Sequence, residues 1–498
     1  MIAALSCAGL AWLAGHGLIG LCRPSGRRSS LELEATALLA GLALLAVVSM
    51  NVVLAWGSLS PLAGRGLAVA LAVPGVLLWR RNRACVECAT ERAPWTAVQR
   101  LLAIALLGFC ALAVFAAASS PVQGFDALFH YAYKGKLIFH GGIGGEAWTD
   151  QTGAVGRCMT RPTYPPVVPL VEVVVGWLRG AFDEDAARPL WAVFALAPAA
   201  LIFAALRERG RTPALLAALV WSSTPLLYYW RLPNEAPLPA VWGLAFGLDA
   251  AAARFPDALG WQRAASWSLD ATAGLPLAAF VFCGHRCLVR ARGPAGDRAD
   301  TVLAGVLLAA ALGTKNEGSA LVPLLLLAAA LTPVGAARPR LVPLVVAAAL
   351  AAALIAGWWA VRRGLPVVDE DYAARLTPAG LLANAWRAPE VAGAFARSFA
   401  NVLLWNLLWP IFGLALLHGL RRPAALWRHP GLPAALIVIA AGVVFFAVML
   451  VTPWDLPVLE GTGVPTRLLL QVAPLAVFAS FALLWELPGE RAARDVRD

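Results

Sequence analysis

The stretch SSPVQGFDALFHYAYKGKLIF, residues 119–139, sets a carboxylate, Asp126, just past the end of an apolar run and ahead of two lysines, Lys134 and Lys136. A carboxylate at a water–lipid boundary is partly desolvated, which raises its basicity. Such a group takes the proton of a hydroxyl as that oxygen attacks an electrophilic carbon. Asp is also a favoured helix N-cap, and on spacing alone both roles stand open. The lysines carry a second signal. Of 40 Lys plus Arg, only Lys134, Lys136 and Lys315 are lysines. A compact ammonium meets a phosphate as a point charge, whereas arginine favours a planar fork. The same ammonium also snorkels to lipid headgroups.

Three further segments combine ionisable groups with apolar surroundings. In RPTYPPVVPLVEVVVGWL the prolines stiffen residues 161–169 into an extended lead-in to an apolar helix, so that Arg161 and Tyr164 are held in fixed positions. In GTKNEGSA, residues 313–320, Lys315, Asn316 and Glu317 form a charged turn between two apolar helices. Ionisable residues there face a cavity or one another. Lys315 either neutralises Glu317 or holds a phosphate with Glu317 orienting it. In VTPWDLPVLEGTGVPTRLLLQVAPLAVF, residues 451–478, Asp455, Glu460 and Arg467 precede the last apolar run. Arg467 either snorkels or supplies a second phosphate contact.

The elements that must position these residues are membrane helices. The chain is 60% hydrophobic and 14% charged, against about 25% charged in soluble domains. Its apolar runs are continuous rather than alternating, which selects helices over barrel strands. Thirteen runs are expected to be helices, near 2–22, 34–56, 62–79, 101–118, 189–206, 213–229, 273–289, 301–313, 319–332, 341–361, 400–418, 432–452 and 467–487. The fold class is therefore an all-α polytopic bundle of about 13 transmembrane helices, forming one membrane domain over 1–498. The first run is read as a membrane helix rather than a cleaved signal, since no basic n-region precedes Ile2. The pair 301–332 is short, and the apolar stretch 237–253 suits a re-entrant or interfacial helix.

Arginine clusters occupy alternate connectors: Arg23/Arg27/Arg28, Arg80/Arg81/Arg83, Arg207/Arg209/Arg211, Arg290/Arg292/Arg298, Arg338/Arg340 and Arg421/Arg422/Arg428. By the positive-inside rule that face is cytoplasmic. The same rule accounts for the net charge of +11 and removes the need for a nucleic-acid partner. The opposite face receives the first large loop, 119–188, the second, 362–399, and the segments 230–272, 314–318 and 453–466. Cys85 and Cys88 make a lone CxxC without a second pair, a weak zinc or redox signal. No glycine-rich phosphate loop is present.

Taken together, FDALFHYAYKGKLIF, RPTYPPVVPL, TKNEG and TPWDLPVLEGTGVPTRLLLQVAP resemble, in order and spacing, outer-loop segments of the GT-C superfamily of membrane glycosyltransferases. The bacterial aminoarabinose- and mannosyltransferase-like members, which use dolichyl- or polyprenyl-phosphate sugars, are the nearest in kind. The resemblance implies a catalytic Asp126 and a phosphate- and substrate-binding set of Lys134, Lys136, Arg161, Tyr164, Lys315, Glu317 and Arg467. It implies a polyprenyl-phosphate-sugar donor, a glycan, lipid or protein acceptor, and a site facing the exterior of a bacterial inner membrane. Where members carry a second outer acid, DATAGLPL, residues 270–277, has no acid at the aligned position; Asn234–Glu235 or Asp270 would have to substitute, or that role is absent. The sequence supports no cofactor and no divalent metal. The competing expectations are a transporter or flippase of lipid-linked glycans, which would show repeats and midplane polar residues, and a surface-polysaccharide polymerase or ligase.

Overall fold

The computed structural model describes residues 1–22, 28–84, 94–119, 126–144, 161–229, 271–293, 298–332, 341–365, 372–427, 429–456 and 464–485. Cys85, Cys88, Asn234–Glu235, the stretch 237–253, Asp270 and Glu460 lie outside them. The helices that matter below are α1 (Ile2–Leu21), α2 (Ser30–Trp56), α3 (Pro61–Ala84), α4 (Ala97–Ser119), α5 (Tyr133–Gly141), α6 (Val167–Arg179), α7 (Leu190–Leu206) and α8 (Arg211–Ser222). They continue with α9 (Ala271–Arg292), α10 (Arg298–Thr314), α11 (Gly318–Leu331), α12 (Val342–Arg362), α13 (Ala388–Ala400), α14 (Leu408–Leu420), α15 (Leu432–Val451), α16 (Val464–Leu470) and α17 (Ala473–Leu484). Among the described residues every regular element is helical.

Each of the thirteen apolar runs contains one of these helices. Seven segments are long and apolar enough to cross a bilayer: α1, α2, α3, α4, the stretch containing α7, α12 and α15. The pair α16–α17, bent by 57°, makes an eighth if it is one span. This is a membrane-embedded all-α protein, with seven or eight spans by length and composition among the described residues. Three of the runs that fall short do so at breaks the hydropathy pattern does not register. The run 213–229 stops at Ser223, before Pro225, which has no N–H to continue the ladder. The run 400–418 is interrupted at Asn406, whose φ of 47° leaves the helical region. The last run breaks at Gln471–Val472, ahead of Pro474.

Close backbone approach holds the first three helices together. Ala11 and Gly15 on α1 meet Ala37 and Gly41 on α2. A Cβ at Gly15 would lie 1.8 Å from the Ala37 carbonyl, and one at Gly41 would lie 1.6 Å from the Ala11 carbonyl. These are reciprocal small-xxx-small faces, the device that lets helices pack by van der Waals contact where lipid removes the hydrophobic driving force. The contact also closes over polar groups. Trp12 Nε1 donates to Glu34 Oε2 at 2.6 Å, His16 Nε2 lies 3.0 Å from the same oxygen, and Asn82 Nδ2 donates to the His16 carbonyl at 2.7 Å.

Helix C-termini leave carbonyls without intrahelical donors, and buried or half-buried arginines take up several of them. Arg209 donates to the Ala482 and Trp485 carbonyls at the end of α17. Arg292 donates to the Thr332 carbonyl after α11 at 2.6 Å, and Arg65 to the Trp177 carbonyl in the last turn of α6 at 2.6 Å. Arg387 spans the Leu450, Thr452 and Trp454 carbonyls beyond α15, at 3.1, 2.6 and 2.7 Å. Each satisfies the freed carbonyls and complements the negative end of the helix dipole.

Gly41→Leu is expected to lower the stability of the detergent-solubilised protein by about 3 kcal/mol, because the new side chain must displace backbone rather than a rotamer. Gly9→Leu, where a Cβ meets nothing within 4 Å, is expected to leave the unfolding midpoint unchanged. Thermal unfolding of the two variants, followed by circular dichroism, checks the difference.

Candidate functional site

Asp126 opens a π-helical segment, Asp126–Ala132, that runs directly into α5. Such wide turns are rare and recur at functional sites, because one extra residue per turn redirects side chains. Here the turn delivers aromatic groups inward. The rings of His130 and Tyr131 lie 5.5 and 6.5 Å from that of Tyr164. Both residues are buried. The segment carrying Asp126 is thereby docked on the proline-rich lead-in Arg161–Pro166.

Lys134 secures that docking. Its side chain is fully buried, and its Nζ donates to the Arg161 carbonyl and, at 2.9 Å, to the Tyr164 carbonyl. It also lies 5.6 Å from the centre of the Tyr164 ring. Burial, and the nearby Arg362 guanidinium, hold its pKa well below the usual lysine value. Lys134 is thus engaged within the protein, fixing a segment whose prolines cannot supply backbone donors. Lys136, two residues on, is exposed on the other side of α5. The two lysines that are neighbours in sequence are therefore separated by the helix.

Arg161 reaches the other way. Its guanidinium lies 5.8 Å from the Tyr164 ring centre and 5.9 Å from that of Trp454. Trp454 is 38% exposed and carries its carbonyl on Arg387. The segment that begins at Arg161 and the segment 451–456 thus meet at one aromatic–guanidinium stack, a pairing across 293 residues that carries no local signal in the sequence.

Immediately after the lead-in, Val167 packs on Gly313. A Cβ at Gly313 would lie 2.5 Å from a Val167 methyl. This contact ties the Tyr164 segment to the turn that holds Lys315. In that turn Lys315 Nζ lies 2.9 Å from Glu317 Oε1. The ion pair therefore forms, with side-chain exposures of 8% and 23%. The turn is tight: a Cβ at Gly318 would lie 2.1 Å from the Ala311 carbonyl, so the position admits glycine alone.

A third strand of the chain completes the group. Gln471, fully buried at the break between α16 and α17, donates from Nε2 to Glu317 Oε1 at 3.4 Å. Four residues earlier on α16 stands Arg467, half-buried. The Gln471 Oε1 and the Asn316 Oδ1 are buried and have no hydrogen-bond partner among the described residues. Unmet acceptors of this kind are costly, and a bound donor group relieves them. Gln471 gave no signal in sequence, since a lone glutamine in an apolar run reads as a tolerated polar residue.

One more buried charge lies beside the site. Glu172 of α6 is 2% exposed, and its Oε2 would sit 3.0 Å from a Cβ at Gly135, next to Lys134. Burial raises its pKa well above the usual carboxylate range; Arg188 opposes that shift and Glu184 adds to it. Among the described residues no three His, Cys, Asp or Glu side chains gather in a way that could hold a metal ion.

No family model, curated protein or solved structure matches this chain.

Lys134 yields a pH test with a definite sign. Its pKa is depressed in the folded state, so at pH values between the depressed and the usual value the unfolded chain binds the proton that the folded one lacks. Stability then rises with pH, by up to about 1.4 kcal/mol per unit, and is lost as pH falls through the folded pKa. The stability advantage of wild type over Lys134→Met is expected to widen as pH is raised from 6 to 10. Denaturation midpoints of the two proteins across that range check it, and a constant gap would show that the amine titrates normally.

Proposed function

We propose that this protein is a glycosyltransferase of the GT-C kind, moving a sugar from a polyprenyl-phosphate carrier to an acceptor hydroxyl at the end of the bundle opposite the arginine-rich connectors. The observation that carries this reading is the gathering of Arg161, Tyr164, Lys315, Glu317 and Gln471 from three distant stretches of chain. Asp126 starts the segment packed against them. Cations at such a place suit a lipid phosphate, and the unmet acceptors on Asn316 and Gln471 suit sugar hydroxyls.

In this scheme the acceptor oxygen attacks the anomeric carbon while Asp126 takes its proton. The bond from that carbon to the phosphate oxygen breaks, and the polyprenyl phosphate departs with the bonding electrons. Lys315 and Arg467 stabilise the charge that develops on it. Glu317 orients Lys315, and Lys134 and Tyr164 hold the lead-in in place. Under the positive-inside rule the site faces away from the cytoplasm, in keeping with a bacterial plasma-membrane enzyme of the cell envelope. The partners are a lipid-linked sugar, a glycan, lipid or protein acceptor, and the bilayer itself.

One observation favours a second reading, a transporter or flippase of lipid-linked glycans. The pair α16–α17 bends by 57° at Gln471–Val472; if it is one span it is a discontinuous membrane helix, and such breaks carry substrate and ion sites in transporters. The two readings differ in whether a covalent product forms.

Asp126→Asn is expected to reduce transfer from a radiolabelled polyprenyl-phosphate sugar by about 10²- to 10⁴-fold, the range of a lost general base, with insertion and unfolding midpoint unchanged. Normal transfer by that variant would remove Asp126 from the chemistry. Native mass spectrometry of the purified protein is expected to show bound polyprenyl phosphate, weakened about tenfold in Lys315→Ala, equivalent to about 1.4 kcal/mol. Carrier bound and moved across vesicles without any covalent product would transfer the assignment to the transport reading.

A further inference from the structure

The opposite end of the bundle holds a second concentration of charge that the proposed transfer does not use. Glu32, in the first turn of α2, lies 3.6 Å from Arg286 and 3.5 Å from Arg290, both on α9. Asp300, in the first turn of α10, pairs with Arg28 and lies 3.4 Å from Arg290 Nε. Among the described residues, three guanidiniums thus face two carboxylates. A fourth, Arg292, is buried at the end of α9 on the Thr332 carbonyl.

The pairing is incomplete on the donor side. Arg28 is 4% exposed, yet its Nε and Nη1 have no hydrogen-bond partner among the described residues. The same holds for Arg286 Nε and for Arg292 Nε and Nη1. A buried guanidinium N–H without an acceptor carries the full loss of its hydration. Two features supply the missing counter-charge with a way in. Arg286 and Arg290 keep side-chain exposures of 15% and 22%, against 2% for Asp300. The N-termini of α2 and α10, the positive ends of helices 27 and 17 residues long, open at the same place.

We propose that this cluster binds a phosphate group, with Arg286 and Arg290 receiving it and Arg28 supplying the buried donors behind them. An ion with three oxygens to offer fits donors arranged this way. The cluster sits at the ends of α2, α9 and α10, beside the arginine-rich connectors. The phosphate there comes either from an anionic phospholipid headgroup, as in basic clefts between membrane helices, or from a soluble phosphate ester.

The test is native mass spectrometry of the detergent-purified full chain with equimolar phosphatidylglycerol and phosphatidylcholine, alongside thermal unfolding in millimolar inorganic phosphate. Wild type is expected to retain phosphatidylglycerol at least fivefold over phosphatidylcholine, and Arg286→Gln/Arg290→Gln to lose that preference. Lys315→Ala, at the other end, is expected to keep it. Stabilisation of wild type but not of the double variant by inorganic phosphate, without lipid preference, would assign the site to a soluble ester. Arg286→Lys/Arg290→Lys preserves the charge for folding and is expected to bind with severalfold weaker retention, since an ammonium lacks the fork. If neither lipid nor phosphate distinguishes wild type from both variants, the cluster is an internal ion-pair network and the proposal fails.

Discussion

Hydrocarbon offers no hydrogen-bond partner, so every backbone N–H and C=O inside the bilayer has to be met by the protein itself. The described structure obeys this constraint in a specific way. At several helix ends, and at one segment that leaves helical geometry, a basic side chain catches the freed carbonyls. Arg387 does this after α15, Arg292 after α11 and Arg209 at α17. Lys134 does it for the proline-rich lead-in, where Tyr164 and Arg161 need a fixed place. Among the described residues, Lys134, Arg292 and Arg387 are buried as answers to that constraint.

The consequence for the candidate site is that its rigidity and its charge come from the same residues. Arg161 is held by two aromatic faces, and one of these, Trp454, is held through its own carbonyl by Arg387. Val167 on Gly313 joins that group to the Lys315 turn, and Gln471 joins the turn to the helix of Arg467. A phosphate arriving here would meet cations already positioned by packing, which is the condition for electrostatic stabilisation without reorganisation. The glycines at 313 and 318 matter for the same reason, since each permits an approach that a methyl group would block.

The two ends of the bundle each hold their own group of charged residues. The arginine-rich end carries Arg28, Glu32, Arg286, Arg290 and Asp300 between α2, α9 and α10. The other end carries all three lysines and the aromatic stack. This separation keeps the two proposed phosphate sites on different residues. The proposed transfer site and the proposed phosphate cluster are therefore independent, and each stands or falls on its own residues.

Composition and hydropathy alone determined that this is an all-α membrane protein, because the energy of placing apolar runs in lipid depends on local sequence and little else. The exceptional lysines and the charged turn at Lys315 were legible for the same reason: a charge between two apolar runs is conspicuous wherever the chain goes. The breaks at Ser223, Asn406 and Gln471 were not, since hydropathy averages over a window and is blind to a missing N–H or one residue with positive φ. Only the tertiary structure decided that Lys134 is buried on carbonyls while Lys136 is exposed, and that Gln471 reaches Glu317 across 154 residues. Those outcomes depend on which faces of distant helices meet, and helix contact is a property of the whole packed bundle rather than of any stretch of sequence.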